Sequence, residues 1–231
     1  MSWTASSRTF ASALALLALA ACQSPRGAGR LIHSDDFRSM NAWHVEAEQL
    51  SRVSVRDGVL DVESSAGLTL WFRHRLEGPV EIEFDATAVS EGGPHDEVSD
   101  LNVFWMASNR DGSAPFPSSR QGRFAAYNDL LTYYVGLGGN RNTTSRFRRY
   151  IGDAGNRPLL PEHDLNSPDV LLVPNKKQKI TLIADRNRIE YKRDGRSLFQ
   201  LHDDQPYTQG WFAIRTTQSH LRIERLRIRA L

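Results

Sequence analysis

Along most of the chain, apolar and polar residues alternate with a period of two, and turn signals interrupt them at short intervals. Arg52–Arg56 and Val59–Glu63 flank Asp57-Gly58, a pair suited to closing a tight hairpin. Leu68–Phe72 and Val80–Ala86 follow as strands. Leu101–Ala107 is apolar on both faces and is expected in the middle of a sheet. Leu131–Leu137 and Ser145–Ile151 flank a loop rich in Gly and Asn. The C-terminal third adds Gln178–Ala184, Arg188–Lys192, Ser197–Leu201, Gly210–Arg215 and Leu221–Ile228, with Asp194-Gly195 as another hairpin turn. No stretch carries three turns of amphipathic helix, and no repeat is visible. Three irregular stretches, Ser90–Asp100, Ala107–Arg123 and Gly152–Pro174, separate the strands. Many short strands predict an all-β jelly-roll sandwich of two antiparallel sheets. Long loops in such a fold commonly cover or line a binding face.

The N-terminus breaks this pattern. An apolar run from Phe10 to Ala21, preceded by Arg8, falls short of the ~20 residues of a spanning helix and fits a signal-peptide core. It ends Leu19-Ala20-Ala21-Cys22, which resembles the lipobox of bacterial lipoproteins. The resemblance implies cleavage before Cys22 and acylation of that residue, and several acyl chains give durable membrane anchoring. Ordinary secretory cleavage with an incidental Cys22 is the alternative. Cys22 is the only cysteine in 231 residues, so it has no partner for an internal disulfide. Gln23, by resemblance to enterobacterial sorting signals, favours the outer membrane over the inner. Residues 1–21 therefore read as a signal peptide, 22–30 as a flexible tether and 31–231 as one domain in the bacterial cell envelope. Removing residues 1–21 takes away Arg8 and no acid, so the formal charge falls from +2 to +1. That balance gives no reason to expect nucleic acid as a partner. A monomer is expected.

Several segments carry a resemblance. Asp36-Phe37 with Trp43, the Arg56–Leu60 hairpin, Gly78–Asp85, Gly210–Thr217 and Leu221–Ile228 resemble concanavalin A-like lectin/glucanase jelly rolls. Asp100–Trp105, Tyr133–Asn140 and Asn142–Tyr150 are similar to the YesU-like group of bacterial domains of unknown function. Members of that group are associated with pectin and rhamnogalacturonan use. The resemblance implies the fold and a uronate-containing glycan, and it implies no particular reaction.

The richest chemistry lies between Arg141 and Tyr150. Strand alternation puts Arg146, Arg148 and Tyr150 on one face, with Phe147 and Arg149 on the other. Guanidiniums beside a tyrosine suit the carboxylates of an acidic sugar; arginines paired to sheet acids fit the same letters. Arg141, Arg146, Arg148, Asn102, Asn140 and Trp105 are the candidate substrate-binding residues. Trp71, Tyr133 and Tyr134 join them as aromatic surfaces for sugar rings, although the strand phase of Trp105 equally allows a core position. Trp43 and Trp211 read as core.

Candidate catalytic residues are Tyr134, Tyr150, Glu83 and Asp85. As a lyase, arginines would neutralise the uronate carboxylate while a tyrosine or histidine moves protons. As a hydrolase, two of Glu81, Glu83, Asp85 and Asp129 would face each other across a cleft. An acidic solvent face opposite Ile82, Phe84 and Ala86 explains that alternation as well. A glycan-binding surface lipoprotein without catalysis would use the same basic and aromatic residues. No histidine spacing suits a metal, though His95-Asp96 with Asp100 could meet a cation. No nucleophile elbow, phosphate loop or dinucleotide fingerprint occurs, and no cofactor is implied.

Overall fold

Strand follows strand through the computed structural model, which describes Met1 and residues 29–231. Residues 2–28, which hold the expected signal-peptide core, Cys22 and most of the expected tether, lie outside the described residues. In chain order the strands are β1 (Arg30–Asp35), β2 (Trp43–Ala47), β3 (Arg52–Arg56), β4 (Val59–Phe72), β5 (Leu76–Glu77), β6 (Val80–Ala88) and β7 (Leu101–Ser108). There follow β8 (Leu131–Gly138), β9 (Thr144–Ile151), β10 (Asp164–Leu165), β11 (Gln178–Asp185), β12 (Arg188–Arg193), β13 (Arg196–His202) and β14 (Gln209–Ala230). Neighbouring strands pair antiparallel throughout.

The fold is a jelly-roll sandwich of two antiparallel layers joined by two long, bent strands. One layer runs β10-β9-β8-β7, then the first half of β14, the second half of β4, and β2. The other runs β13-β12-β11-β6, then the second half of β14, the first half of β4, and β3. The β14–β4 register shifts between Thr217 and Ser219, and Gln218 there has a φ of 46°. An irregularity of this kind bends a strand without ending it. The small polar residues at Ser64–Gly67 and Gln218–His220 look like turns in sequence but are bends, so two pairs of expected strands are each one strand.

Alternation builds the core. Val103, Trp105, Tyr133, Val135 and Phe147 from one layer meet Ile82, Phe84, Leu182, Tyr191, Ile223 and Ile228 from the other. Trp105 is thus not a sugar platform: it is fully buried, with the Phe147 ring 5.8 Å away. Tyr133 is buried beside it and donates to Asp203 Oδ2 at 2.6 Å. Their strand phase faces the opposite layer.

The outward face of the β7–β9 layer carries a second buried cluster of Trp71, Phe104, Phe116, Tyr127, Tyr134 and Tyr150. The chain between β7 and β8 lies across it and contributes Phe116, Tyr127 and Leu130. Trp71 is covered by that loop and unavailable to ligand, with Phe116 stacked on it at 5.7 Å. Trp43 lies in the core, whereas Trp211 is half-buried against the outward cluster. Glu46 pins the loop. Its Oε1 accepts from Ser118 N at 2.9 Å and Ser118 Oγ at 2.7 Å, and its Oε2 from Tyr127 Oη at 2.6 Å and Trp71 Nε1 at 3.3 Å. A buried carboxylate is tolerated where donors satisfy it in this way.

Candidate functional site

Beside the loop-covered cluster, the same outward face opens into a cavity of about 430 Å³. It is built from the outward-pointing phase of adjacent strands. Asn102 comes from β7, Tyr134 and Gly136 from β8, Thr144, Arg146 and Arg148 from β9, and Arg215 and Thr217 from β14. Asp100 stands just before β7, Phe124 comes from the covering loop, and Arg157 from the loop after β9.

The turn between β8 and β9 sets the rim. Asn140, Arg141 and Asn142 have φ values of 53°, 56° and 58°. Asparagine tolerates this left-handed region, whereas for Arg141 it costs roughly 1 kcal/mol. Asn142 holds the turn by donating to Leu172 O at 2.9 Å and accepting from Leu172 N at 2.8 Å. Asn140 and Arg141 are thereby placed on the cavity edge. At Gly136, a Cβ would stand 2.7 Å from Tyr134 Oη and 3.3 Å from Asn102 Oδ1. The absent side chain lets the Tyr134 phenol lie along its own strand.

The cavity carries five arginines (Arg141, Arg146, Arg148, Arg157, Arg215) and one carboxylate, Asp100. Two of the arginines are paired, Arg141 to Glu97 at 3.3 Å and Arg146 to Asp164 at 2.7 Å. The other three have no carboxylate partner among the described residues. Arg148 donates to the Arg157 carbonyl, and Arg157 donates to Tyr150 Oη at 3.3 Å. Arg215, with 1 % exposure, donates to Gly122 O at 2.6 Å and Thr69 Oγ1 at 3.1 Å. Arg215 and Arg157 lie 4.9 and 5.4 Å from the Phe124 ring centre, one of the few stabilising contacts their charges find.

Burial disfavours the charged forms of several groups in the cavity. Burial lowers the Arg148 guanidinium, and the neighbouring Arg157 charge adds to that; burial lowers Arg215 as well. Burial raises the Asp100 carboxyl although Ser99 Oγ donates to it at 2.6 Å and Asn102 Nδ2 at 3.1 Å. Tyr134 is pushed well above the ordinary phenol range by burial, then by Tyr150 and Asp100. Asn102 Oδ1 and Arg215 Nε are buried without partners. Cations crowded into a half-buried cavity are a standing cost that a bound anion relieves.

Of the residues singled out from sequence, Asn102, Tyr134, Asn140, Arg141, Arg146 and Arg148 meet at this cavity. Tyr150 shares their face but is buried beneath Arg157, with its hydroxyl occupied, so it does not reach the opening. Glu83 and Asp85 are a correction. They stand on the outward face of β6 in the other layer, Glu83 with Lys179 at 3.2 Å and Asp85 with Arg225 Nε at 2.7 Å. Asp129 pairs with Arg120 at 3.0 Å. The carboxylates considered for hydrolysis therefore do not face one another across this cavity. Asp96 meets His220 at 2.8 Å instead of joining Asp100 around a cation. Among the described residues no His, Cys, Asp or Glu cluster suits a metal. Arg157, Arg215 and Phe124 were not anticipated. Arg215 had a signal, a lone charge at the end of the apolar run Trp211–Ile214; Arg157, in a proline-rich loop, had none.

The sequence model of a family described as Domain of unknown function (DUF6250) matches residues 62–226. No curated protein matches the chain in sequence. Among solved structures, it is similar to a Bacillus subtilis protein of unknown function with a galectin-like fold, with a TM-score of 0.68 at 16% identity, covering 87% of this chain and 96% of that one. It is also similar to the carbohydrate-binding module CBM66 from Bacillus subtilis, with a TM-score of 0.54 at 11% identity, covering 82% of this chain and 96% of that one. An endo-β-1,3-glucanase from Pyrococcus furiosus has a TM-score of 0.59 at 10% identity, covering 87% of this chain and 94% of that one. At these identities the likeness is one of fold alone.

Proposed function

The chain belongs to the DUF6250 family, and on that premise we propose that it binds an acidic, uronate-containing oligosaccharide in the arginine-lined cavity. One observation carries this reading: Arg148, Arg157 and Arg215 converge on an open cavity without carboxylate partners. A planar guanidinium matches a carboxylate through paired hydrogen bonds, and a half-buried site strengthens them. Phe124 offers ring surface to sugar C–H faces, while Asn102, Asn140, Thr144 and Thr217 offer amide and hydroxyl groups to sugar hydroxyls. The similar folds include a carbohydrate-binding module and a glucanase, which supports a glycan as the ligand. The YesU-like motifs favour a pectic or rhamnogalacturonan-type chain.

The lipobox-like Leu19–Cys22 adds a location. The β-domain works outside the cytoplasm, held by acyl chains on Cys22 to the envelope, with the outer membrane favoured by Gln23. Incorporation of labelled palmitate, abolished by Cys22→Ala, tests this part by itself.

Calorimetric titration with galacturonate oligomers tests the binding reading. The expected result is binding that weakens as salt rises and falls ~10-fold or more in Arg148→Ala. Binding indifferent to both changes would remove the arginines from the site.

A further inference from the structure

Binding alone leaves two features of the cavity unused. We propose, on the acidic-glycan reading above, that it also cleaves its ligand by β-elimination at a 4-linked uronate, with Asp100 as the base and Tyr134 as the acid.

Both groups line the space into which the arginines project. Tyr134 differs from the tyrosines around it. Tyr127 donates to Glu46, Tyr133 to Asp203 and Tyr207 to the Tyr150 carbonyl, while Tyr150 accepts from Arg157. The Tyr134 hydroxyl has no hydrogen-bond partner among the described residues. The residue lines the cavity and keeps 6 % exposure. Gly136 provides the room in which it lies.

Asp100 is held rather than free. Ser99 Oγ fixes one oxygen and Asn102 Nδ2 the other, and a φ of 55° turns the residue at the entrance to β7. Each carboxylate oxygen has more than one acceptor position, so both bonds leave capacity for a proton. Asp100 is also the one carboxylate lining the cavity. Hydrolysis by the usual pair of carboxylates has no second member here.

The step balances without water or a cofactor. Arginines neutralise the uronate carboxylate and stabilise the charge that develops when the neighbouring C5–H is broken. Asp100 takes that proton, and the C–H electron pair becomes the C4=C5 double bond. The C4–O bond breaks with its electrons on oxygen, which takes the Tyr134 proton and leaves as a hydroxyl. Solvent then carries the Asp100 proton back to Tyr134. Burial holds the proton on Tyr134, so it is there to be donated, and raises the Asp100 carboxyl, which makes the ionised group a stronger base.

The full chain, incubated with galacturonate oligomers and with rhamnose-alternating galacturonate oligomers, tests this by mass spectrometry and ultraviolet absorbance. The expected products sum to the mass of the substrate, and one absorbs as a conjugated unsaturated uronate. Asp100→Asn and Tyr134→Phe should each lower turnover ~100-fold or more while the dissociation constant changes only a few-fold. Circular dichroism and the melting temperature report whether the variants fold, and Asp100→Glu supplies a second variant at that position. Products heavier by one water, binding of these oligomers without cleavage, or a folded variant at full rate would overturn the proposal. In the second case the binding reading stands. No binding to either oligomer would remove that reading and the elimination together.

Discussion

The Arg215 guanidinium donates to the Gly122 carbonyl at 2.6 Å, joining the floor of the cavity to the loop that lies across the aromatic cluster. The floor is β14, and the same loop is pinned from β2 by Glu46. Replacing Arg215 with Met should leave Gly122 and Thr69 without their partner. We expect a loss of about 1–3 kcal/mol in urea unfolding, together with weaker binding of galacturonate oligomers. Arg215→Lys keeps the charge but not the fork, and should recover only part of the affinity.

Gly136 and Tyr134 are coupled sterically. In Gly136→Ala the new methyl would meet Tyr134 Oη at 2.7 Å, so the phenol must move. The obstacle is a side-chain tip with open space beside it, so the fold should survive with a cost near 1 kcal/mol. Oligomer affinity and turnover should both change. A variant with wild-type affinity and rate would show that the phenol position does not matter.

Two aromatic residues separate core from site. Trp105→Ala removes a fully buried ring from between the layers and should cost about 3–5 kcal/mol of stability. Any ligand effect should follow from unfolding alone. Phe124→Ala takes away a half-buried ring at the cavity, which should weaken binding while shifting the melting temperature much less. Thermal unfolding and titration of both variants read the contrast.

Much of this was legible in the sequence because strand alternation is a local property. The phase of β9 follows from the sequence Arg146-Phe-Arg-Arg-Tyr150, and with Phe147 in the core it brings Arg146 and Arg148 to the outward face. The same reasoning left Trp105 undecided, since β7 is apolar on both phases and only packing against the second layer distinguishes them. Glu83 and Asp85 alternate as a catalytic pair would. Their strand, however, belongs to the other layer, a fact of long-range pairing. Arg157 reaches the site through a loop whose path no periodicity encodes. The cavity is thus half a strand pattern and half a product of loop packing.

An ion cluster away from the cavity should make stability depend on pH in the acid range. His220 lies between Asp96 Oδ1 at 2.8 Å and Asp61 Oδ2 at 3.1 Å, tying the chain between β6 and β7 to β14 and β4. Burial alone would raise the Asp96 carboxyl. Backbone N–H groups of Gly93 and Glu91 and the His220 ring outweigh it and hold it at about 2. A depressed carboxylate stabilises the fold above its unfolded value of ~3.9, and that contribution is lost as pH falls through the folded value. Asp96→Asn should therefore lower the melting temperature at neutral pH, and the difference from wild type should shrink as pH falls from about 4 to 2.

Recognition of glycan carboxylates by the cavity is the proposal on which the other binding expectations rest. Calorimetric titration of one galacturonate oligomer and of its carboxyl-reduced, neutral counterpart tests it most directly. Binding of the acidic oligomer, with the reduced one at least ~10-fold weaker, is the predicted result. Equal binding of the two, or binding of neither, would contradict it.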